Sequence, residues 1–378
     1  LLRNLWSSAT TAAGSIVSFL IAPLVGQGSD AYGRKPFIVL AQLLHVVYPF
    51  TVLMFNNYDQ DIRIYFVVKF VYNAYLSGSL LAACVADVIA PINRATAFGA
   101  LFAVGSVSFS IAIALTQHLN TYQILVTSSG FYILRLIWSI FCVPETLPIA
   151  SRSHEEAWTS LNPIVAMSIL LKTSLFRRLS IVIALSNFVS SGIMSFRLFF
   201  FNNVLGFNKD DIATFMLLVG ISSMVSQGIL LHPLKHCFQD KGVLVLSLLS
   251  YTAMAGSYLI ALVFHQVSWI FVCGVLSGLG DIGFAAISSL KSIHCTDKEQ
   301  GRVQGAVYGI RAFASALGPL AYSSLYATIS PKDTGCQSIP FILSLVLYAA
   351  SMGVAAYVPV TIAITDTGLA PLLEEEEK

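Results

Sequence analysis

Long apolar stretches separated by short polar connections run through nearly the whole chain of 378 residues. A helix that crosses a hydrocarbon core about 30 Å thick needs about 20 predominantly apolar residues, because each residue advances the helix by about 1.5 Å. The pattern therefore predicts an all-α polytopic membrane protein. Eleven stretches qualify as membrane-spanning helices, namely residues 5–25, 37–55, 64–86, 96–117, 122–143, 179–201, 212–234, 243–264, 268–290, 303–329 and 339–358.

The composition agrees with this pattern. Hydrophobic residues make up 56% of the chain and charged residues 11%, whereas soluble domains carry about 25% charged residues. The 21 Lys and Arg residues against 19 Asp and Glu residues give a net charge of +2. Such a chain offers no basic surface for a polyanion, so we expect the lipid bilayer as its partner and no nucleic acid.

The cations between the predicted spans fall mainly on one side. Lys and Arg accumulate in cytoplasmic loops, and 13 of them lie in connections on one side against four on the other. We therefore predict that the crowded side is cytoplasmic. This orientation places the N-terminus outside and the C-terminus in the cytoplasm.

The longest connection divides the predicted spans into two groups. Residues 144–178 follow the fifth span and are rich in proline and glutamate. We predict four parts of the chain, namely an N-terminal half over residues 1–143, a cytoplasmic linker over 144–178, a C-terminal half over 179–358 and a cytoplasmic acidic tail over 359–378.

A short motif lies between the first two spans. Residues 26–36 have the pattern G-x-x-x-D-x-x-G-R-K-P, with one anion close to two cations. An ordinary cytoplasmic turn would explain Arg34 and Lys35 alone, but the spacing over eleven residues is more specific. The motif resembles the major facilitator superfamily signature that joins transmembrane helices 2 and 3. With the aspartate that closes the third span, it predicts a gate motif of Gly26, Asp30, Gly33, Arg34, Lys35 and Asp87.

Other segments are similar to the same superfamily. Arg94 and Gly99 look like the start of its helix 5, and residues 144–147 resemble the exit of its helix 6. The resemblance is closer to the hippocampus abundant transcript family, a tetracycline-resistance-like branch. Three segments carry it, namely residues 85–88, 220–227 and 301–311. The last of these segments carries glycines at every fourth position, which predicts a flat helix face for close packing. In the resembled fold the start of this helix meets the loop between helices 2 and 3, which implies that Asp30 accepts from its unpaired N–H groups and opposes its positive dipole end.

The resemblance implies a bundle of twelve helices in two halves of six. Here the signature follows the first predicted span instead of the second, so the eleven spans correspond to helices 2 to 12 and helix 1 is missing. We therefore expect the chain to be a fragment. Residues 105–112 also lack the Gly-Pro kink of drug antiporters, which puts exchange in doubt.

Two charged residues within the predicted spans lie at matching depths. Asp281 is ten residues from Lys291 and Arg311 is nine residues from Arg302, which places both about 13–15 Å from the cytoplasmic face. Because ionisable groups at this depth are costly, each requires a reason. One reading is a proton- or substrate-sensing pair, and the other is a buried ion pair with a purely structural role.

Three further polar residues within spans are candidate substrate ligands, namely Lys69, Asn73 and Gln227. In the resembled fold helix 4 lines the central cavity, so a cation there could meet an anionic substrate. Lys69 could instead reach the membrane interface, and uncharged polar groups more often bond one helix to another. Both alternatives stay open for these residues.

Several other motifs indicate no chemistry. Residues 278–283 match the dinucleotide pattern G-x-G-x-x-G but lie inside an apolar helix without a preceding strand, so helix packing or a cavity-facing hinge is expected instead. His232 and His236 have no carboxylate between them and flank a proline, which argues against a metal site. We find no catalytic constellation and expect neither an enzyme nor a bound cofactor.

These observations predict a secondary transporter of a small organic solute that works by alternating access of two helical halves. Proton coupling through Asp281 is a further hypothesis, and the sequence does not identify the substrate. The alternative is a transporter-like receptor or chaperone in the membrane that no longer cycles. The expected partners are the solute, protons if coupling holds, and lipid, and the expected state is a monomer.

Overall fold

The computed structural model describes residues 2–55, 62–75, 78–116, 118–149, 152, 167–264, 266–295, 299–327 and 337–358. These residues are nearly all helical, as the apolar pattern predicts. The helices are α1 (Leu2–Tyr32), α2 (Arg34–Phe55), α3 (Ile62–Ala74), α4 (Gly78–Val88), α5 (Arg94–Thr116), α6 (Thr121–Phe141), α7 (Ser174–Asn203), α8 (Lys209–Val225), α9 (Leu231–Val263), α10 (Ser268–Gly280), α11 (Ile282–Ile293), α12 (Gln300–Ala327) and α13 (Ile339–Ala356). Short 3-10 turns cover Pro91–Asn93 and Ser168–Leu171, and a π-helical turn (Ser226–Leu230) joins α8 to α9.

Nine helical stretches in the described residues are long and apolar enough to cross a membrane. One of them, Lys209–Val263, is 55 residues long and contains two predicted spans, separated at Gln239 by a non-helical backbone with φ 58. Helix α12 is not among the nine, although we predicted a span there, because it carries polar and charged side chains such as Gln304 and Arg311. The count of eleven spans therefore stays a prediction.

Several boundaries differ from those predicted. Helix α1 continues to Tyr32 and α2 begins at Arg34, so the turn predicted over residues 26–36 shrinks to one residue. Helix α7 begins at Ser174, inside the predicted linker, because the side chain of Thr173 accepts a hydrogen bond from the Phe176 N–H and caps the helix. The predicted tail, residues 359–378, lies outside the described residues.

The packing brings elements of the two predicted halves together. Helix α1 lies along α12, and α5 packs against α8 and α11. One buried cluster joins Ala82 of α4 and Phe98 of α5 to Val303 of α12. A second cluster is aromatic and lies wholly between residues 189 and 348. Helix α6 exposes a broad apolar face that includes Phe131 and Trp138, the arrangement expected of a lipid-facing helix.

One cation that we counted in a cytoplasmic connection lies elsewhere. Lys291 belongs to α11 and its residue is fully buried. Its Nζ donates to Ser180 Oγ of α7 at 2.8 Å and lies 5.9 Å from the centre of the Phe176 ring. The orientation of the chain in the membrane stays a prediction from the remaining cations.

Candidate functional site

The signature motif forms a one-residue break between α1 and α2. Gly33 adopts φ +100, a left-handed conformation that glycine adopts without steric cost. A Cβ atom added to Gly33 would lie 2.5 Å from Glu145 Oε2 and 2.9 Å from Arg152 Nη2. The backbone conformation therefore favours glycine here, and a larger residue would also displace the ends of these two side chains.

Arg34 lies at the centre of a buried charge network. Its Nη1 is 2.7 Å from Asp30 Oδ1, and its Nε is 2.9 Å from Asp87 Oδ2. The Nη2 group donates to Asp87 Oδ1 at 3.2 Å, so the second pair is bidentate. The side chain of Arg34 is 1% exposed and those of both aspartates are 3% exposed. One cation thus holds the ends of α1, α2 and α4 together.

Asp30 also caps α12, which lies in the predicted C-terminal half. The Gly301 N–H donates to Asp30 Oδ1 at 2.9 Å, and the Arg302 N–H donates to Oδ2 at 2.8 Å. N–H groups in the first turn of a helix have no partner within the helix, and the helix dipole makes that end positive. The network has two carboxylates and one arginine. The positive end of α12 therefore compensates the negative charge of Asp30 that Arg34 leaves unbalanced.

Glycines allow α1 and α12 to approach each other this closely. A Cβ on Gly305 would collide with the Ala22 carbonyl oxygen, and a Cβ on Gly309 would lie 3.0 Å from the Phe19 carbonyl oxygen. Gly26 and Gly301 face each other in the same way, backbone against backbone. The flat face predicted from the four-residue glycine spacing is thus confirmed, and α1 is the helix that packs on it.

Glu145 connects the predicted linker to the same cluster. Its two carboxylate oxygens accept the Arg34 N–H at 2.9 Å and the Lys35 N–H at 3.1 Å, and so cap α2. Partial burial raises the pKa of the carboxyl group, but these bonds, the Leu147 N–H and Arg152 outweigh burial and hold the pKa below its usual value. Sequence reasoning placed residues 144–147 near a helix exit but did not predict this capping.

Arg94 is a functional candidate that sequence reasoning missed. Its guanidinium donates to the Ala86 and Ile89 carbonyl oxygens at the end of α4, at 2.9 and 3.1 Å. It also donates to the Ser292 carbonyl oxygen at the end of α11, at 2.8 Å. A cation at the C-terminal end of a helix is favourable, and this one serves two helices from the two predicted halves. One signal in the sequence could have identified Arg94. It is a cation on the first residue of α5, where the helix dipole disfavours positive charge.

A cavity of about 470 Å³ lies between α5, α7, α8, α9, α11 and α12. Asp281, at the junction of α10 and α11, and Arg311 of α12 both line it. The Asp281 carboxylate accepts two hydrogen bonds, from Tyr251 Oη to Oδ1 and from Ser223 Oγ to Oδ2, each at 2.7 Å. Gln227, in the π-helical turn, donates to Ser223 Oγ at 2.7 Å. The cavity thus brings together three of the candidates predicted from the sequence.

The glycines at 278–283 explain why these partners reach Asp281. A Cβ on Gly278 would lie 2.5 Å from Ser222 Oγ and 2.5 Å from the Ser223 backbone nitrogen, both on α8. A Cβ on Gly280 would lie 2.5 Å from the Tyr251 ring of α9. The pattern therefore serves helix packing, one of the two roles expected from its context.

Arg311 has a different environment from Arg34. Its Cζ atom lies 4.4 Å from the centre of the Phe284 ring, an arrangement that favours the cation. Among the residues that the structure describes, no carboxylate lies within salt-bridge distance of Arg311 and no acceptor takes a hydrogen bond from it. The guanidinium donors are thus available to the cavity, and Arg311 and Asp281 are neighbours that do not form a direct ion pair.

Lys69 and Asn73 are not among the residues that line this cavity. Both belong to α3, where the Asn73 Nδ2 donates to the Lys69 carbonyl oxygen at 2.7 Å. The Cβ of Asn73 fills the space above Gly14, so a Cβ added to this glycine would be 2.6 Å away. The structure therefore separates these two candidates from Asp281, Arg311 and Gln227.

Comparisons with known proteins agree with the fold and the motif. A sequence model of the Major Facilitator Superfamily matches residues 5–319. Hippocampus abundant transcript-like protein 1 of Bos taurus is 28% identical over 82% of this chain and 62% of its own length. Tetracycline resistance protein, class C, of Escherichia coli is 23% identical over 88% of this chain and 82% of its own length. The chain thus spans less than two thirds of the length of the first of these relatives.

Two solved structures share the fold. The human organic anion transporter MFSD10 (TETRAN) superposes with a TM-score of 0.79 at 20% identity, over 92% of this chain and 83% of that one. A bacterial homologue of the iron transporter ferroportin in an outward-facing state superposes with a TM-score of 0.68 at 14% identity, over 91% of this chain and 88% of that one. The match to the family, which covers most of the sequence and includes the signature network around Arg34, shows that this chain belongs to the Major Facilitator Superfamily.

Proposed function

We propose that this protein is a secondary transporter that moves a small organic anion across a membrane by alternating access. The observation that carries the proposal is the cavity between elements of both predicted halves, with Asp281 and Arg311 in its wall. A site near the middle of the bundle, at the boundary between halves, is what alternating access requires.

The substrate class follows from Arg311. A guanidinium at bilayer depth is costly unless it is paired, and Arg311 has five donors for which the described residues supply no acceptor. A carboxylate on a substrate would fit such a fork in bidentate geometry. Phe102, Phe109 and Phe284 line the same cavity and offer apolar surface to the rest of the molecule. The superposed human transporter is described as carrying organic anions, which supports the same class.

The contacts between the predicted halves suggest which end is closed. Asp30 with the start of α12 and Arg94 with the end of α11 lie at helix ends that the cation count assigns to the cytoplasm. We infer that this conformation is closed toward the cytoplasm, with the signature network as the latch. Opening to the cytoplasm would break both capping contacts.

Asp281 is the candidate for proton coupling. Its carboxylate is partly buried in the cavity that Arg311 also lines, and a carboxylate whose surroundings differ between two conformations binds a proton with different affinity in each. That difference is the physical requirement for coupling. Asp281→Asn would keep the shape of the side chain and remove its titration.

The test compares three ligands of nearly equal shape. Purified protein in liposomes would be given indole-3-acetate, indole-3-acetamide or tryptamine, which are anionic, neutral and cationic at neutral pH. We expect saturable uptake and counterflow for the anion alone. Arg311→Gln should abolish this uptake, whereas Arg197→Gln, which removes a cation that packs on Phe215 outside the cavity, should retain it. Equal handling of all three ligands would contradict the anion assignment.

The same experiment separates a transporter from a receptor that does not cycle. A receptor would bind indole-3-acetate in equilibrium binding but would show no counterflow. Asp281→Asn extends the test to coupling. Loss of accumulation driven by a pH gradient, with counterflow retained, is the expected result. If the variant still accumulates ligand along the gradient, Asp281 has a structural role only.

A further inference from the structure

Asp281 is connected to the opposite half of the molecule by two hydrogen bonds. Ser223 of α8 donates to Asp281 Oδ2 at 2.7 Å. The Ser223 Oγ in turn accepts from Ser106 Oγ of α5 at 2.9 Å. Helix α5 belongs to the predicted N-terminal half, and α8 and Asp281 belong to the predicted C-terminal half. A continuous path of hydroxyl groups thus links the partly buried carboxylate to the contact between halves.

Counting hydrogens shows that this arrangement fits an ionised carboxylate, which accepts a hydrogen bond at each oxygen. A hydroxyl group has one hydrogen to donate and two lone pairs to accept with. Ser223 uses all three, since it donates to Asp281 and accepts from Ser106 and from Gln227. Tyr251 donates to the other carboxylate oxygen. The carboxylate is the acceptor in both contacts, so a proton that Asp281 Oδ2 directs at Ser223 Oγ makes the Ser223 hydrogen turn away.

Ser223 is the donor that can turn away without losing a partner. If the protonated carboxyl group donates to Ser223 Oγ, the Ser223 hydrogen can turn to Ser106 Oγ. The Ser106 hydrogen then turns to the Phe102 carbonyl oxygen of its own helix, which is already 3.3 Å away. Tyr251 has no such second acceptor among the described residues, since its hydroxyl bonds to Asp281 alone. The chain through Ser223 therefore accommodates the proton and the one through Tyr251 does not.

The reversal changes the strength of the contact between α5 and α8. With Asp281 ionised, the bond from Ser106 to Ser223 points toward a negative charge, and hydrogen bonds in such chains strengthen one another. With Asp281 protonated, the same bond is neutral and points the opposite way. We propose that Ser223 and Ser106 are positioning residues that transmit the protonation of Asp281 to the contact between the halves, so that protonation loosens α5 from α8. This inference rests on the proposed function, because it gives a route for proton coupling.

The charged and titratable groups around Asp281 are few in the described structure. Tyr251 of α9 donates to it, Tyr348 of α13 stacks on Tyr251 with ring centres 5.1 Å apart, and Arg311 faces it from α12. The cavity residues of α5, α7 and α8 are uncharged. Of these groups only Asp281 is a carboxylate, so a response in the weakly acidic range is assigned to it.

The experiment measures conformation without any substrate. A reporter cysteine replaces Ser190, which lines the cavity, in a background without the native cysteines. Its reaction with an impermeant maleimide, applied from the cytoplasmic side of oriented vesicles, is followed at about pH 5.5 and about pH 8. Each rate is divided by the rate of free cysteine at the same pH, because the thiolate is the species that reacts. We expect this normalised reactivity to rise about fivefold at the lower pH, the factor that corresponds to about 1 kcal/mol, the scale of one hydrogen bond.

Four variants give the expected pattern. Asp281→Asn should hold the reactivity at the low-pH level, and Ser106→Ala should remove most of the pH dependence. Ser106→Thr keeps the hydroxyl group and should restore it. Ser108→Ala is the matched control on α5, because its exposed hydroxyl bonds only to the Val104 carbonyl oxygen of its own helix, and it should behave as the unaltered protein.

Two results would overturn the relay. One is the same pH dependence in Ser106→Ala as in Ser108→Ala, and the other is a full pH dependence in Asp281→Asn. Neither requires transport, so they are distinct from a failure of the proposed function, which would appear as absent indole-3-acetate counterflow in the unaltered protein. Normal thermal unfolding of Ser106→Ala, measured alongside, shows that a flattened pH profile does not come from misfolding.

Discussion

The network around Arg34 and the cavity around Arg311 use the same kinds of residue in opposite ways. Arg34 contacts two carboxylates, and its side chain is almost completely buried. Arg311 stacks on Phe284 and has no carboxylate contact among the described residues. A buried charge whose bonds are all made within the protein holds helices in place, whereas one with open donors beside a cavity is suited to a ligand. This difference is the basis for the proposed latch at Arg34 and the proposed binding site at Arg311.

The largest effect expected at the latch is that of Arg34→Ala. This change leaves Asp30 and Asp87 buried without their cation, and breaking a buried charge pair costs about 3–5 kcal/mol. We expect a large fall in the temperature of thermal unfolding in detergent. Lys35→Ala is the control, because Glu145 contacts the backbone of Lys35 and this bond survives the change. A similar melting temperature for both variants would show that the network is not what holds these helix ends.

Gly305→Ala tests the close contact between α1 and α12. The added methyl group would collide with the Ala22 carbonyl oxygen, and overpacking of this kind costs about 1–3 kcal/mol. Gly130→Ala is the matched control, since a Cβ there would have no neighbour within 4 Å and alanine favours the helix. The temperature of thermal unfolding should therefore fall for Gly305→Ala and stay level or rise for Gly130→Ala. Equal changes in the unfolding temperature of both variants would show that α1 can move away from α12 without a cost in stability.

Asp30→Ala should shift the conformation more than it lowers stability. The two backbone N–H groups of α12 would lose charged acceptors, and each such bond contributes about 1.5–3 kcal/mol. We expect at least about tenfold faster labelling of a cysteine at Ser190 from the cytoplasmic side. Unchanged labelling would mean that Asp30 is a packing residue and not part of a gate.

Glu145→Gln should have the smallest effect on thermal stability, and this effect should be visible only in how the stability depends on pH. The pKa of Glu145 is held below its usual value, so its stabilising contribution is complete above the pKa of the unfolded chain and is lost as the pH falls through the folded value. We expect the loss of thermal stability between about pH 6 and about pH 3.5 to be smaller in the variant. An identical acid response would show that the α2 cap contributes little.

Each part of the fold could be predicted to the extent that its signal is local. Long apolar runs predicted an all-α membrane protein because a span is defined by length and hydropathy alone. Boundaries were less accurate, because the break after Tyr32 depends on Gly33 and on Glu145, which bonds to the Arg34 N–H from 111 residues away in sequence. Depth counting predicted Asp281 and Arg311 at one level, and both line the same cavity. The same counting could not separate Lys69 from them, since depth does not specify which face of a helix lines a cavity.

The sequence by itself determined the class of protein, the signature motif and the flat glycine face of α12, because hydropathy, spacing and the absence of a side chain act locally. The resemblance also predicted that Asp30 caps α12, and the structure has these bonds. Only the tertiary structure decided that Arg94 caps α4 and α11. It also decided that Asp281 bonds to Tyr251 and Ser223 while Arg311 stays open to the cavity. These choices depend on which of several possible partners the helix packing brings within about 3 Å, and no spacing along the chain encodes that selection.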